Sequence, residues 1–143
     1  MPTATKHAVA LAGKIVVCIA NGLAQVDDEF RVLLPEEGSL AQAVQSVAPE
    51  AKVVAAFQHV PAAALLALDR PLEGDVIACG DDRGACAVVR HLIADVPGLR
   101  AFDGGSLANA VGIEAFAAVL LSVNLRHRGK GALRLTGFED SAA

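Results

Sequence analysis

The chain has no tryptophan, no tyrosine, one methionine and five phenylalanines in 143 residues. Aromatic side chains are 3% of it, so its apolar character, 54% of residues, comes mainly from Ala, Val and Leu. Charged residues are only 20%. That balance excludes disorder, and it exceeds what the core of one domain this size needs, leaving apolar surface for a partner, a second copy or a flat ligand. Cysteine is scarce and odd in number, with Cys18, Cys79 and Cys86 and no C-x-x-C. A disulfide framework and a zinc site are therefore not expected, and reduced, buried thiols in a cytoplasmic protein are. Excess positive charge is missing too: the net charge is −4 and the isoelectric point about 5.5. Neither nucleic acid nor an anionic membrane surface is an expected partner. No run reaches the ~18 uninterrupted apolar residues of a membrane span. The chain carries neither G-x-G-x-x-G nor G-x-x-x-x-G-K-[ST], and no nucleophile elbow.

What is present is an alternation of elements. "KIVVCIA", Lys14 to Ala20, reads as a strand buried on both faces. The stretch from Asn21 to Gly38 has turn chemistry but no clean period, and a long irregular connection is expected there. Ser39 is a good N-cap for a helix that ends at Pro49. "AKVVAAF", Ala51 to Phe57, is a second strand, and Pro61 opens a short helix through "AAALLAL". Asp75 to Cys79 is a third strand, followed by a helix capped by Asp81 or Asp82 and stopped near Pro97-Gly98. Leu99 to Asp103 is a fourth strand. Gly104-Gly105 turn the chain, and Ser106 opens a long helix to about Arg126. "GALRLTG" is a short strand or an extended tail.

Strand and helix in strict alternation predict one α/β domain over residues 1–143, with a mostly parallel, Rossmann-like sheet and a long C-terminal helix. Ligands of such sheets bind beyond the carboxyl ends of the strands. Those ends are Asn21-Gly22, Gln58-His59, Gly80 to Asp82 and Gly104-Gly105. Gln58 and His59 are the only polar residues in the apolar stretch "VVAAFQHVPAAALLAL". His59 titrates near neutrality and could serve as acid or base, yet nothing in the sequence supplies it a nucleophile. The alternative is that one of the pair faces a crevice and the other ties down loop backbone. "CGDD" reads as helix capping. "FDGGSLANA" could cradle a phosphate, or be a tight turn with Asn109 holding backbone. Arg126, His127, Arg128, Lys130 and Arg134 suit a helix C-terminus. "AFAAVLLSVN", Ala115 to Asn124, suits core packing or a dimer seam. A wall for a flat ring is the alternative, since Ala117 and Ala118 permit close approach.

"AGKIVV", "AKVVAAF-x-H-V", "DV-x-x-CGDD", "PGLRA-x-D-x-G-x-L-x-NA", "E-A-F" and "GALRLTG" occur in that order. From about Ala12 to Gly137 the chain resembles the C-terminal part of the deazaflavin-dependent NADP reductases, which act on coenzyme F420. The resemblance implies hydride transfer between a nicotinamide and the deazaflavin, usually by dimers, with no acid-base residue required because the ring carbon takes the hydride directly. It implies cofactor contacts at Asn21, Gln58, His59, Val60 and Ala117, no catalytic side chain and no metal. The family's His after the second strand falls on Gln58, and its Ser and Thr on the long helix fall on Ala115 and Ala117. The family's N-terminal Gly-rich fingerprint has no counterpart here. The resemblance therefore implies a truncated Rossmann-like unit lacking most of the NADP site, with a homodimer or a partner supplying the missing half. A non-catalytic deazaflavin-binding or dimerisation module is the alternative.

Overall fold

A computed structural model describes residues 2–66 and 72–138, with side chains from Ala4 onward. Ala67 and Leu68, the end of the apolar stretch around His59, lie outside the described residues. The elements are α1 (Pro2–Leu11), β1 (Ile15–Cys18), β2 (Leu23–Val26), β3 (Glu29–Val32), α2 (Leu40–Val47) and β4 (Lys52–Ala55). They continue with α3 (Ala62–Leu65), β5 (Gly74–Gly80), α4 (Arg83–Ala94), β6 (Leu99–Asp103), a 3-10 turn (Leu107–Asn109) and α5 (Ala110–His127).

β1, β4, β5 and β6 form a four-stranded sheet in that order. Period-two alternation sends their apolar side chains to two faces. Cys18, Val53, Ala55 and Cys79 pack on one face with Leu11, Ala41, Leu107, Ala110 and Ile113 from α1, α2 and the start of α5. Val54, Ala56, Val76 and Ala78 pack on the other with Ala85, Cys86, Val89 and Ile93 of α4. The result is helix, sheet and helix in three layers, with β4 and β5 mostly buried on both sides and the edge strands β1 and β6 half-buried.

The sheet is mostly parallel: β1 with β4 and β5 with β6. The middle pairing is not. β4 meets β5 antiparallel, over only Val54–Gly80 and Ala55–Cys79. The expectation that all four strand ends gather on one edge is therefore corrected. Asn21, Gln58 and His59 follow β1 and β4 on one edge, while Gly80 to Asp82 and Gly104-Gly105 follow β5 and β6 on the opposite one.

The irregular connection expected after Asn21 is also corrected. Its residues fold into the antiparallel β2–β3 hairpin. Asp27 holds φ +54° at the turn, a left-handed conformation that Asp tolerates better than most residues. The hairpin lies along α5. Ser122 Oγ accepts from the Phe30 N–H at 2.8 Å, and the Arg126 guanidinium reaches Asp28 and Glu29. Ser122 and Arg126 thus hold a second layer against α5.

The short β4–β5 pairing leaves the first half of β5 without a strand on that side. Its polar groups are met instead by side chains and by the C-terminal segment. The Asp75 N–H donates to Leu133 O at 2.9 Å. The Asp75 carboxylate takes Arg100 Nε and Nη2, each at 2.7 Å, and the Leu135 N–H. Asp75 and Arg100 face each other in the parallel register of β5 and β6. Burial pushes the Asp75 carboxyl up. The hydrogen bonds from Arg100 and Leu135 and the charges of Arg100 and Arg134 outweigh it, and the net displacement is downward.

A carboxyl held below its unfolded value stabilises the fold above that unfolded value, and the contribution is lost as pH falls through the folded one. Asp75→Asn is expected to cost about 3–5 kcal/mol near neutral pH, because Arg100 is left largely buried without its counter-charge. In urea titrations, the stability gap between wild type and variant should narrow as pH drops below about 4. A gap independent of pH would remove the ion pair from this role.

Candidate functional site

β4 ends at Ala55, and Phe57 at φ +68° turns the chain sharply. Phe57 O accepts from the Val60 N–H at 3.0 Å, so Gln58 and His59 occupy the corner of a tight turn. The strand thus stops two residues short of the expected Phe57, and strand alternation does not reach the two side chains. The turn separates them instead. Gln58 reaches toward β1, where its Nε2 donates to Cys18 O at 2.8 Å. His59 reaches toward β5, where its Nε2 lies 2.7 Å from Asp75 O. Asn21, just beyond β1, donates from Nδ2 to Gln58 O at 2.6 Å. Asn21, Gln58 and His59 are thus joined through one turn.

Each of these contacts ends on a backbone carbonyl, which only accepts. The amide nitrogens of Asn21 and Gln58 must therefore face those carbonyls, and the His59 proton must sit on Nε2. Three acceptor atoms remain: Asn21 Oδ1, Gln58 Oε1 and His59 Nδ1. All three are buried without a hydrogen-bond partner. Gln58 is 5% exposed and His59 6%. Buried acceptors without partners are costly and rare, and they cluster where a water or a ligand belongs. Burial lowers the His59 pKa, and its hydrogen bond to Asp75 and the Asp75 charge offset this only in part. At neutral pH the ring is an uncharged acceptor.

α5 closes the site from above. Phe116 sets its ring edge-on to His59, with centroids 6.4 Å apart. Val60 lines a narrow slot beside His59, with about 10 Å³ of room, enough for roughly one water. Ala117 is 1% exposed, so its methyl is part of the packed interior and not of an open wall. The residue that seats this part of α5 is Glu114, which sequence reasoning passed over. Its carboxylate accepts from the Leu40 and Ala41 N–H groups at 2.8 and 3.1 Å, at the start of α2. Its only signal was a charge between Ile113 and Ala115 in an otherwise apolar helix. Asp75 and Arg100 were passed over as well. Their signal was one charge of each sign at matching depths of neighbouring apolar strands.

The other candidates resolve into structure. Asp82 caps α4 by accepting from the Ala85 N–H at 2.7 Å. Asp81 accepts from the Leu107 N–H at 3.0 Å, and Asp103 from the Gly105 N–H at 2.8 Å. Two amides that a phosphate at the Gly104–Asn109 loop would need are therefore already held by carboxylates. Gly104 is required by packing: a Cβ there would lie 2.5 Å from Cys79 Sγ. Asn109 ties Gly104 O, as the tight-turn reading expects. Ser106 makes no capping hydrogen bond, and a 3-10 turn precedes α5. The three cysteines are free and buried, and burial pushes the Cys79 thiol up to about 11. No group of three metal-ligating side chains is found among the described residues.

The architecture defines an α/β domain with a mostly parallel sheet, a long C-terminal helix and three buried, unpartnered acceptors beyond the ends of β1 and β4. No family model matches the chain. It is 42% identical over 132 residues to the F420-dependent NADP reductase of Methanocaldococcus jannaschii, covering 90% of this chain and 59% of that protein. It is 34% identical over 107 residues to the F420-dependent NADP reductase of Methanothermobacter thermautotrophicus, covering 73% and 46%. The crystal structure of a candidate F420-dependent NADP reductase from Arthrobacter sp. FB24 superposes with a TM-score of 0.79 at 26% identity, covering 92% of this chain and 61% of that one. Over nine tenths of its length the chain is similar to part of the F420-dependent NADP reductases. It spans about half the length of the curated relatives it matches.

The tautomer and charge of His59 are open to direct measurement. In a nitrogen-15 NMR titration, His59 should show a protonated Nε2 and an unprotonated Nδ1, with a midpoint below 6.5. A midpoint above 6.5, or a proton on Nδ1, would contradict the assigned acceptor.

Proposed function

We propose that the chain provides the deazaflavin-binding part of a reductase that passes a hydride between NADP and coenzyme F420. The carrying observation is the acceptor cluster of Asn21 Oδ1, Gln58 Oε1 and His59 Nδ1 at the strand-end turn. Such a set suits a ligand edge that donates hydrogen bonds, such as the imide N–H of a pyrimidinedione ring. When bound, coenzyme F420 supplies a ring carbon that accepts or releases a hydride, so the protein need only position and shield it. Gln58 and Asn21 orient the ring edge. Neutral His59 accepts without introducing a charge. Val60 narrows the slot, and Phe116 stands edge-on to the His59 ring. A small-molecule cofactor in the cytoplasm, where thiols stay reduced, is consistent with three free buried cysteines.

NADP on this reading is held outside these residues. The chain has no dinucleotide fingerprint, and the Gly104–Asn109 amides are committed to carboxylates. The proposed docking side for that part is the free edge of β1, whose Ile15 is 39% exposed and whose following Ile19 is 63% exposed. A homodimer seam on α5 is proposed separately. Phe116, Val119 and Val123 share one exposed apolar stripe there, spaced three and four residues apart.

Titrating coenzyme F420 into the chain by calorimetry should give saturable binding. Asn21→Ala or Gln58→Ala should each weaken it about tenfold, the worth of one hydrogen bond of about 1.4 kcal/mol. Adding NADPH to the same mixture should leave the deazaflavin absorbance unchanged. No heat on titration, or equal affinities in the variants, would overturn the assignment.

Light scattering at tens of micromolar should report a dimer for the wild type and a monomer for Val119→Glu. A monomeric wild type would remove α5 as a seam.

A further inference from the structure

The three acceptors are closed to solvent in the folded chain, so a ligand needs a way in. The segment after α5 lies across the slot on the His59 side. Residues 129–138 form no helix or strand, yet they are seated in an orderly manner. Leu133 and Leu135 turn inward while Ala132, Arg134 and Thr136 stay exposed, the period-two pattern of an extended chain on a sheet edge. Its attachments include the ion pair of Arg134 with Asp75 at 4.0 Å. Asn124 bonds Gly131 through both its side-chain atoms. Asp75 binds at the Leu133 carbonyl and the Leu135 N–H, and Arg100 Nη2 donates to Leu135 O at 2.7 Å. Phe138 rests edge-on against Phe102. Between this segment and the sheet lies the slot, with Ala132 and Leu133 on one side and His59, Val60, Gly74 and Asp75 on the other.

We propose that residues 131–136 are a detachable strap that closes the His59 slot, latched by Asp75 and Arg100. The sheet itself stays intact when the strap lifts, because the β5–β6 register and the Asp75–Arg100 pair do not involve it. Only the edge of β5 opens, and His59 Nδ1 becomes reachable. The strap goes beyond the cofactor reading and does not depend on which ligand enters.

The geometry offers a lock. A Cβ built at Gly74 would stand 3.5 Å from the Ala132 Cβ, at the short end of the disulfide range of about 3.5–4.5 Å. The paired substitutions Gly74→Cys and Ala132→Cys should therefore close the strap covalently, while the three native thiols remain buried. Diethyl pyrocarbonate, which labels accessible unprotonated imidazole, reports on His59 by peptide mass, with His7, His91 and His127 as internal references. His59 in the wild type should label more slowly than those three, but faster than core amides exchange. Oxidation of the double variant should slow His59 labelling at least tenfold, and reduction should restore it. Leu135→Pro, which removes the N–H that Asp75 accepts, should speed it several-fold. Equal His59 rates in the locked and reduced forms would overturn the strap. So would wild-type labelling no faster than core exchange, since His59 would then be reached only by global unfolding. Neither outcome bears on coenzyme F420 affinity, which the calorimetry reads independently.

Discussion

Asp75 is the constraint on which the rest of the structure turns. A strand inside a protein must have partners for its N–H and C=O groups. The pairing of β4 with β5 is too short to provide them along the first half of β5. Asp75 gathers the substitutes. Its carbonyl meets His59, its N–H meets Leu133, and its carboxylate meets Arg100 and Leu135. One residue therefore fixes the ring of His59, joins β5 to β6 by charge and seats the C-terminal segment. The site lies where it does because the sheet is incomplete there.

Two carboxylates are buried among the described residues, Asp75 and Glu114, and they are displaced in opposite directions. Burial raises both. Asp75 is brought down by a bidentate guanidinium and a second cation, whereas Glu114 has only two backbone N–H groups, and for it burial wins. The difference follows from partner type: a full opposite charge offsets desolvation that amide dipoles do not. Their structural duties are complementary. Asp75 holds the floor of the His59 slot. Glu114 fastens α5 to the start of α2, two residues before Phe116, whose ring stands edge-on to His59.

The local elements were legible in the sequence, and the relations between strands were less so. β6 falls at Leu99–Asp103 and α2 starts after Ser39, as apolar periodicity and capping chemistry demand. The hairpin at Leu23–Val32 was hidden because its turn is Asp-Asp and not Asn-Gly, and its strands are short and half-exposed. The antiparallel β4–β5 step was hidden because an unbroken apolar run carries no direction. A strand buried on both faces looks the same whichever way it points. Gln58 and His59 were legible as polar residues in an apolar frame, but their roles depend on carbonyls of β1 and β5 that no local pattern reveals. Ala117 looked like a wall and is interior, since small residues on an apolar helix suit both.

The chemistry left at the turn is narrow, and that bears on mechanism. Asn21 Nδ2, Gln58 Nε2 and His59 Nε2 each turn to a backbone carbonyl, while three acceptor atoms are left without a partner. The ring of His59 is pinned by Asp75 O on one nitrogen and flanked by Phe116, and burial keeps it neutral. A proton shuttle needs a ring that exchanges protons with solvent near neutral pH, and His59 is poorly placed for that. A reaction in which a hydride passes between two rings has no such need. It needs orientation, a dry pocket and no stray charge beside the ring. Gln58 meets the same requirement. Unlike an imidazole at that corner, its amide cannot become a cation, so the local field stays constant with pH. The turn is therefore better matched to holding a neutral, hydrogen-bond-donating ring edge than to acid-base work.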